Sequence, residues 1–337
     1  MSKILEINNL HVEFDTYGGT VHAVRGLDLA VQKGETLAVV GESGCGKSVS
    51  FQALMGLLPM PPGRISSGSA NFQGNDLLKL KESEMRPLRG SQIAMIFQDP
   101  MSSLNPTKKI GDQIAESLII HKGMSKRDAL KESLKLLELT RIGEAPKRLN
   151  QYPFEFSGGM LQRVMIAMAI ACKPQLLIAD EPTTALDVTI QDQILALLKD
   201  LQKEYEMSLI LITHDLGVVA RMADQVAVMY AGQIVENGSV DDIFYRSAHP
   251  YTLGLKQALP NSQEGKSAQL IPIDGSPPDL FSPPKACAYA ARCPMARKVC
   301  LEKAPLIFEA SSKHLSRCWL QHPQAPSHPE LFCGERK

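Results

Sequence analysis

Up to about residue 250, short unbroken apolar runs alternate with stretches in which apolar positions recur every three or four residues. "TLAVV" (Thr36–Val40), "QLLIAD" (Gln175–Asp180) and "SLILITHD" (Ser208–Asp215) are of the first kind. Rich in Val, Ile and Leu and lacking a polar alternate, they suit strands buried on both faces of a parallel sheet. The second kind predicts helices. Ser125 is placed as an N-cap with Asp128 in the first turn, and Leu130, Leu134 and Leu137 fall on one face. "VSFQALMGLL" from Val49 and "MLQRVMIAMAIA" from Met160 are two further helical patterns. Strands alternating with helices predict an α/β fold. No window holds the roughly 18 consecutive apolar residues that a bilayer-spanning helix needs.

The alternation stops near Pro250. From there the chain carries 12 of its 22 prolines and five of its seven cysteines, which divides it into residues 1–250 and a small Pro- and Cys-rich module, 251–337. At 337 residues and 44% apolar content there is material for both cores. Lys plus Arg equals Asp plus Glu at 36 each, so no net basic field favours nucleic acid. The start, "MSKILEINNLHVEF", lacks the basic end and apolar run of a signal peptide. The expected compartment is therefore the cytosol, where thiols stay reduced.

"GESGCGKS" follows the strand-like run at 36–40 and precedes a helical pattern, the context in which G-x-x-x-x-G-K-[ST] cradles phosphate. Gly41, Ser43, Gly44, Cys45 and Gly46 would curl the backbone so that its N–H groups, with a helix N-terminus behind them, face an anion. Lys47 would reach the β- and γ-phosphates and the Ser48 hydroxyl would complete a Mg²⁺ shell. "LLIADEPTTALD" then brings Asp180 to a strand end, where it can hold Mg²⁺, with Glu181 next to it to polarise an attacking water. Alone, such adjacent acids read equally well as a solvated loop start. Gln98 in "MIFQDP" and His214 in "LITHD" end strand-like runs, and each alone would be a surface glutamine and a structural histidine. "FSGGMLQR" places Ser157, Gly158 and Gly159 at another helix N-terminus. A second cradle is surplus for one nucleotide, which suggests that it grips a nucleotide bound on a partner subunit.

Together these residues resemble the ATP-binding cassette of ABC transporters. Gly41–Ser48 looks like Walker A, Gln98 the Q-loop, Phe156–Met160 the signature, Leu176–Glu181 Walker B, Ala185–Asp187 the D-loop and His214 the switch histidine. Tyr17, with Phe14 as the alternative, would stack on adenine. The signature departs from the usual LSGGQ at Phe156 and Met160, while its Ser and Gly pair is intact. The resemblance implies a RecA-like core, a helical subdomain at about 100–165 and an antiparallel β subdomain. It also implies an ATPase whose head-to-tail dimer sandwiches two ATP molecules between Walker A of one subunit and the signature of the other, with Mg²⁺ held by Ser48, Gln98 and Asp180. "IFQDPMSSLNP", "VMYAGQIVE", "HPYT" and "GSPPDLFSPPKACAYAARCP" further resemble the D-type ATPase subunit of bacterial oligopeptide and dipeptide permeases. This implies a second, F-type ATPase subunit, two transmembrane permease subunits and an extracytoplasmic peptide-binding protein, with the chain peripheral on the cytoplasmic face of the membrane. The alternatives are an importer ATPase for nickel or another solute, and a soluble ABC ATPase of DNA repair or translation. A GTPase would want an N-K-x-D motif, which is absent.

Cys287, Cys293, Cys300 and Cys318 lack the C-x₂₋₄-C pairing of a zinc site, and their spacing is not that of a ferredoxin. Four separate core cysteines remain an option, although a tail so poor in apolar residues would need a staple. The resemblance implies a [4Fe–4S] cluster on these four, with Zn²⁺ as the alternative. Cys333 and Cys172 are not claimed as ligands, and His314, His322 and His328 are expected to be solvated.

Overall fold

The computed structural model describes residues 2–184, 186–258 and 272–332. They form two compact units. One comprises residues 2–4, 31–36 and 79–212. Its parallel strands Ile93–Ile96, Leu176–Asp180 and Ser208–Thr213 run with Leu176 beside Ile93 on one side and Ser208 on the other. Every residue of the last two strands is buried, as expected of strands covered on both faces. Helices Ile110–Lys122, Lys126–Leu139 and Gly158–Ile170 pack on one another, and Val188–Tyr205 follows the Leu176–Asp180 strand in the chain.

Ser125 caps its helix, its hydroxyl accepting from the Asp128 N–H at 3.2 Å. The buried face of that helix differs from the predicted one. It is centred on Ala129, Ser133, Leu136 and Leu137, with Leu130 and Leu134 only half-buried. The small residues allow close helix approach, and the Ser133 hydroxyl is satisfied by the Ala129 carbonyl at 2.8 Å, so a polar residue sits in the core without an orphan group.

The other unit comprises Leu5–Ala30, Leu37–Leu78 and the described residues from Thr213 on. An antiparallel sheet runs in the order Gly19–Gln32, Lys3–Thr16, Gly63–Phe72, Asn75–Asp76. The buried strand Thr36–Val40 lies parallel to Gln225–Tyr230, which pairs antiparallel with Gln233–Ser239. The Cys-rich region extends this second sheet: His314–Ser316 pairs with Gln233–Ser239, and Phe308–Ser311 adds the edge.

That pairing overturns the expectation for His314, which is fully buried rather than solvated. Its Nε2 lies 2.8 Å from the Glu236 carboxylate, itself buried and receiving the N–H groups of Ala248 and His249 at 2.7 and 3.0 Å. His249 caps the helix Pro250–Gln257, its Nδ1 accepting from the Tyr251 N–H at 3.0 Å. Burial holds its imidazole down at about 3, so it stays neutral and keeps the lone pair that the cap requires.

Candidate functional site

The buried strand Thr36–Val40 runs into the loop Gly41–Gly46, and the helix Lys47–Leu54 starts directly after it. Gly41, Gly44 and Gly46 have φ of 155°, 78° and 102°, and the loop cannot be rebuilt with side chains. A Cβ at Gly41 would lie 2.1 Å from the Met229 carbonyl oxygen, and one at Gly46 would lie 2.4 Å from that of Ala23. The buried Lys47 ammonium donates to the carbonyl oxygens of Gly41 and Glu42 at 2.8 and 3.0 Å. The loop is thus wound around a fixed positive charge at a helix N-terminus, which suits it to phosphate. Cys45 is buried, and burial pushes its thiol up, so it packs as a neutral side chain. Ser43 and Gly44 form the exposed outer edge, and Ser48 is half-buried. Tyr17 is fully exposed at the turn between the first two strands, whereas Phe14 lies against Gly63.

In the first unit, the strand Leu176–Asp180 ends with Asp180 buried. Glu181 follows at a φ of 45°, a left-handed conformation costing a non-glycine residue about 1 kcal/mol. Its N–H is tied to the Ile212 carbonyl at 2.9 Å. One carboxylate oxygen accepts from the Gln98 amide at 2.7 Å and from the Thr184 hydroxyl at 2.9 Å. Two residues 83 positions apart are therefore brought into direct contact, and Gln98 orients the carboxylate that the sequence marks as a base.

Ser157 precedes the helix Gly158–Ile170 with extended dihedrals (φ −75°, ψ 162°), and Gly158 and Gly159 form its first turn. A Cβ at Gly159 would lie 2.8 Å from Cγ2 of Ile190, so glycine is what permits this approach. These residues line an open groove of about 700 Å³ that also contains Arg141, Arg148, Arg163 and Asp187. Asp187 caps Val188–Tyr205, accepting from the Ile190 N–H at 3.0 Å. Arg163 is buried and donates to the Thr140 carbonyl and Gln193 Oε1 at 3.0 and 2.8 Å; burial, then the nearby Arg141 charge, lowers its proton affinity. Arg148 lies over the ring of Phe156, 5.8 Å from its centroid, so the residue that departs from the usual signature is engaged by a cation. Sequence reasoning found the serine and glycines but missed the arginines. Arg163 stands one helical turn after Gly159, a signal that was available; Arg141 and Arg148 are brought in by the fold.

His214 is exposed after the strand Ser208–Thr213, and Asp215 caps the next helix through the N–H groups of Gly217 and Val218 at 2.8 and 3.3 Å. Tyr17, Gly41–Ser48 and His214 thus belong to one unit, and Gln98, Ser157–Gly159, Asp180, Glu181 and Asp187 to the other. Ala185 and Cys333 lie outside the described residues.

Cys287 and Cys293 are half-buried, and Cys300 and Cys318 buried. The Cys287 N–H donates to the Cys300 carbonyl at 3.1 Å. Burial raises the thiols of Cys287, Cys293 and Cys318, Cys293 to about 11, and in each case charge on the other cysteines adds to the effect. Cys318 feels all three others, so the four share one neighbourhood, in which thiolates would need a positive charge beside them to form. Among the described residues, no group of three or more His, Cys, Asp or Glu side chains is arranged to hold a metal ion. The expected metal site on these four cysteines, cluster or Zn²⁺, thus finds no support in their arrangement.

The description "ABC transporter" matches residues 24–184, and "Oligopeptide/dipeptide transporter, C-terminal region" matches residues 235–300. The chain is 56% identical over 326 residues to the oligopeptide transport ATP-binding protein OppD of Bacillus subtilis, covering 97% of this chain and 91% of that one. It is 56% identical over 325 residues to the dipeptide transport ATP-binding protein DppD of the same organism, covering 96% and 97%. Against OppD of Salmonella typhimurium it is 52% identical over 303 residues, covering 90% of each. Among solved structures, the ATP-binding cassette MJ0796, a dimer in a post-hydrolysis state bound to ADP and Pi, matches at a TM-score of 0.63 and 25% identity, over 70% of this chain and 98% of that one. With its phosphate loop, its strand-end acids and its Cys-rich C-terminal region, this ATPase belongs to the ABC transporter family, in the group of oligopeptide and dipeptide transport ATP-binding proteins.

Proposed function

We propose that this chain is the energy-coupling ATPase of a bacterial importer for oligopeptides or dipeptides, and that it works as a head-to-tail cassette pair closing on two ATP molecules. The observation that carries the reading is the presence of two separately built anion cradles on one chain, at Gly41–Ser48 and at Ser157–Gly159. In the proposed cycle Gly41–Ser48 wraps the phosphates, with Lys47 on the β- and γ-phosphates and Tyr17 on adenine. Ser48, Asp180 and Gln98 are the residues that would hold Mg²⁺, which would neutralise charge on the phosphates. Glu181, oriented by Gln98, takes the proton of the attacking water. Ser157, Gly158 and Gly159 grip the γ-phosphate of the nucleotide on the partner cassette, with Asp187 beside them, and His214 senses that phosphate. Closure is a population shift driven by contacts that only the triphosphate makes.

The partner is assigned as an F-type ATPase subunit. No described helix is long and apolar enough to cross a membrane, and passage is assigned to two permease subunits supplied by an extracytoplasmic peptide-binding protein, with this chain on the cytoplasmic face. Glu181→Gln in the assembled complex should lower ATP turnover by about a hundredfold or more and accumulate an ATP-bound closed dimer by size. Undiminished turnover removes Glu181 from the role of base.

Cys287, Cys293, Cys300 and Cys318 are assigned to a [4Fe–4S] cluster, which when bound would supply covalent cross-links between the segments that carry them. Anaerobically purified protein should carry about four irons per chain with matching sulfide. Stoichiometric zinc without sulfide would replace the assignment.

A further inference from the structure

The Cys-rich region reaches back to the phosphate loop of its own chain. Arg292, the residue before Cys293, has a side chain only 5% exposed. Its two terminal nitrogens donate to the two carboxylate oxygens of Glu42 at 2.6 and 2.9 Å. Its Nε donates to the Asp274 carbonyl at 2.9 Å, which fixes the guanidinium from behind. A bidentate fork of this kind sets direction as well as distance.

Glu42 is the second residue of the loop Gly41–Ser48, and it is held at three points. Arg292 takes its side chain, the Tyr251 hydroxyl takes its N–H at 2.9 Å, and its carbonyl accepts from the Lys47 ammonium at 3.0 Å. The rings of Tyr230, Tyr251 and Tyr289 pack on one another with centroids 4.6 to 5.3 Å apart, which stiffens the wall around the pair. The same region also touches the other end of this unit's nucleotide residues. The Leu280 carbonyl accepts from the His22 N–H at 2.9 Å, and Phe281 lies over the Gly18–Gly19 turn next to Tyr17. A buried ion pair could serve stability alone. What distinguishes this one is that the anchored residue shares its carbonyl with the phosphate-binding lysine, so a shift of Glu42 moves the ammonium.

We propose that Arg292 is a positioning residue for nucleotide binding: it fixes Glu42 and, through the Glu42 carbonyl, the Lys47 ammonium, so that the order of the Cys-rich region sets the affinity of the phosphate loop. The proposal rests on the reading that Gly41–Ser48 holds the phosphates of ATP. The test is equilibrium binding of MgATP to the full chain, with thermal melting alongside, and the KM and kcat of the assembled complex. Arg292→Met should weaken MgATP binding and raise KM by about tenfold with kcat little changed. Arg292→Lys, which keeps the charge but not the fork, should recover part of that loss. Glu42→Gln should show a similar loss, and the double variant should be no weaker than Arg292→Met alone, because both break one link. If Arg292→Met does not fold, Glu42→Gln alone decides. A folded Arg292→Met or Glu42→Gln that binds MgATP like the unaltered chain overturns the proposal. If Lys47→Met keeps full affinity, it is the underlying reading of the loop that fails.

Discussion

The two glycine-rich helix starts of this chain reach the same backbone chemistry by different means. In the loop Gly41–Ser48 the shape comes from the glycines and the charge from the loop's own lysine. Three glycines take positive φ, the Met229 and Ala23 carbonyls leave no room for a Cβ at Gly41 and Gly46, and the lysine is already bound to the loop's own carbonyls. At Ser157–Gly159 the backbone is ordinary, extended and then helical, and glycine matters for what it lets come close. Positive charge there comes from three arginines around an open groove, one of them tied to Thr140 and Gln193. The first takes its backbone shape from one strand–loop–helix segment, which residues from elsewhere in the chain then brace. The second is an open face, and in the proposed reading its ligand is carried by another chain, which would account for a single chain holding both.

The strongest way to break this comparison is Gly46→Ala. The strain at a φ of 102° and the Ala23 carbonyl 2.4 Å from the new methyl should abolish the curl. MgATP affinity of the isolated chain is expected to fall by about a hundredfold or more. Near-normal affinity would show that the curl is not what binds. A smaller effect sharpens the contrast. Gly159→Ala, whose methyl meets Ile190 at 2.8 Å, should lower ATP turnover of the assembled complex by about tenfold and leave isolated-chain affinity untouched. Adding Ile190→Ala should restore turnover by making room. A parallel loss of affinity in the isolated chain would mean that both cradles serve one chain's own nucleotide.

The phosphate loop, the buried parallel strands and the helix cap at Ser125 were all legible in the sequence, within a residue or two at their ends. The roles of His314 and of the arginines were not. His314 was expected in solvent, yet two short strands at the sheet edge carry it beside Glu236, 78 residues away, where the pair excludes water. Nothing in local alternation encodes which edge such strands will join. The thiols fall between these cases. A metal site was expected on them, but a spacing of residues does not say how far apart the sulfurs are held, and among the described residues no metal-holding group is arranged.

The sequence by itself determined whatever depends on neighbours in the chain. Glycine patterns set φ, an apolar run sets a buried strand, and a helix N-terminus next to Lys47 sets an anion cradle, because these are short-range properties of the backbone. Only the tertiary structure decided which distant side chains complete the site. Gln98 meets Glu181 across 83 residues, and Arg292 meets Glu42 across 250. A buried charge is tolerated only where its partner is already fixed in place, and that place is created by sheet pairing and packing rather than by any local pattern.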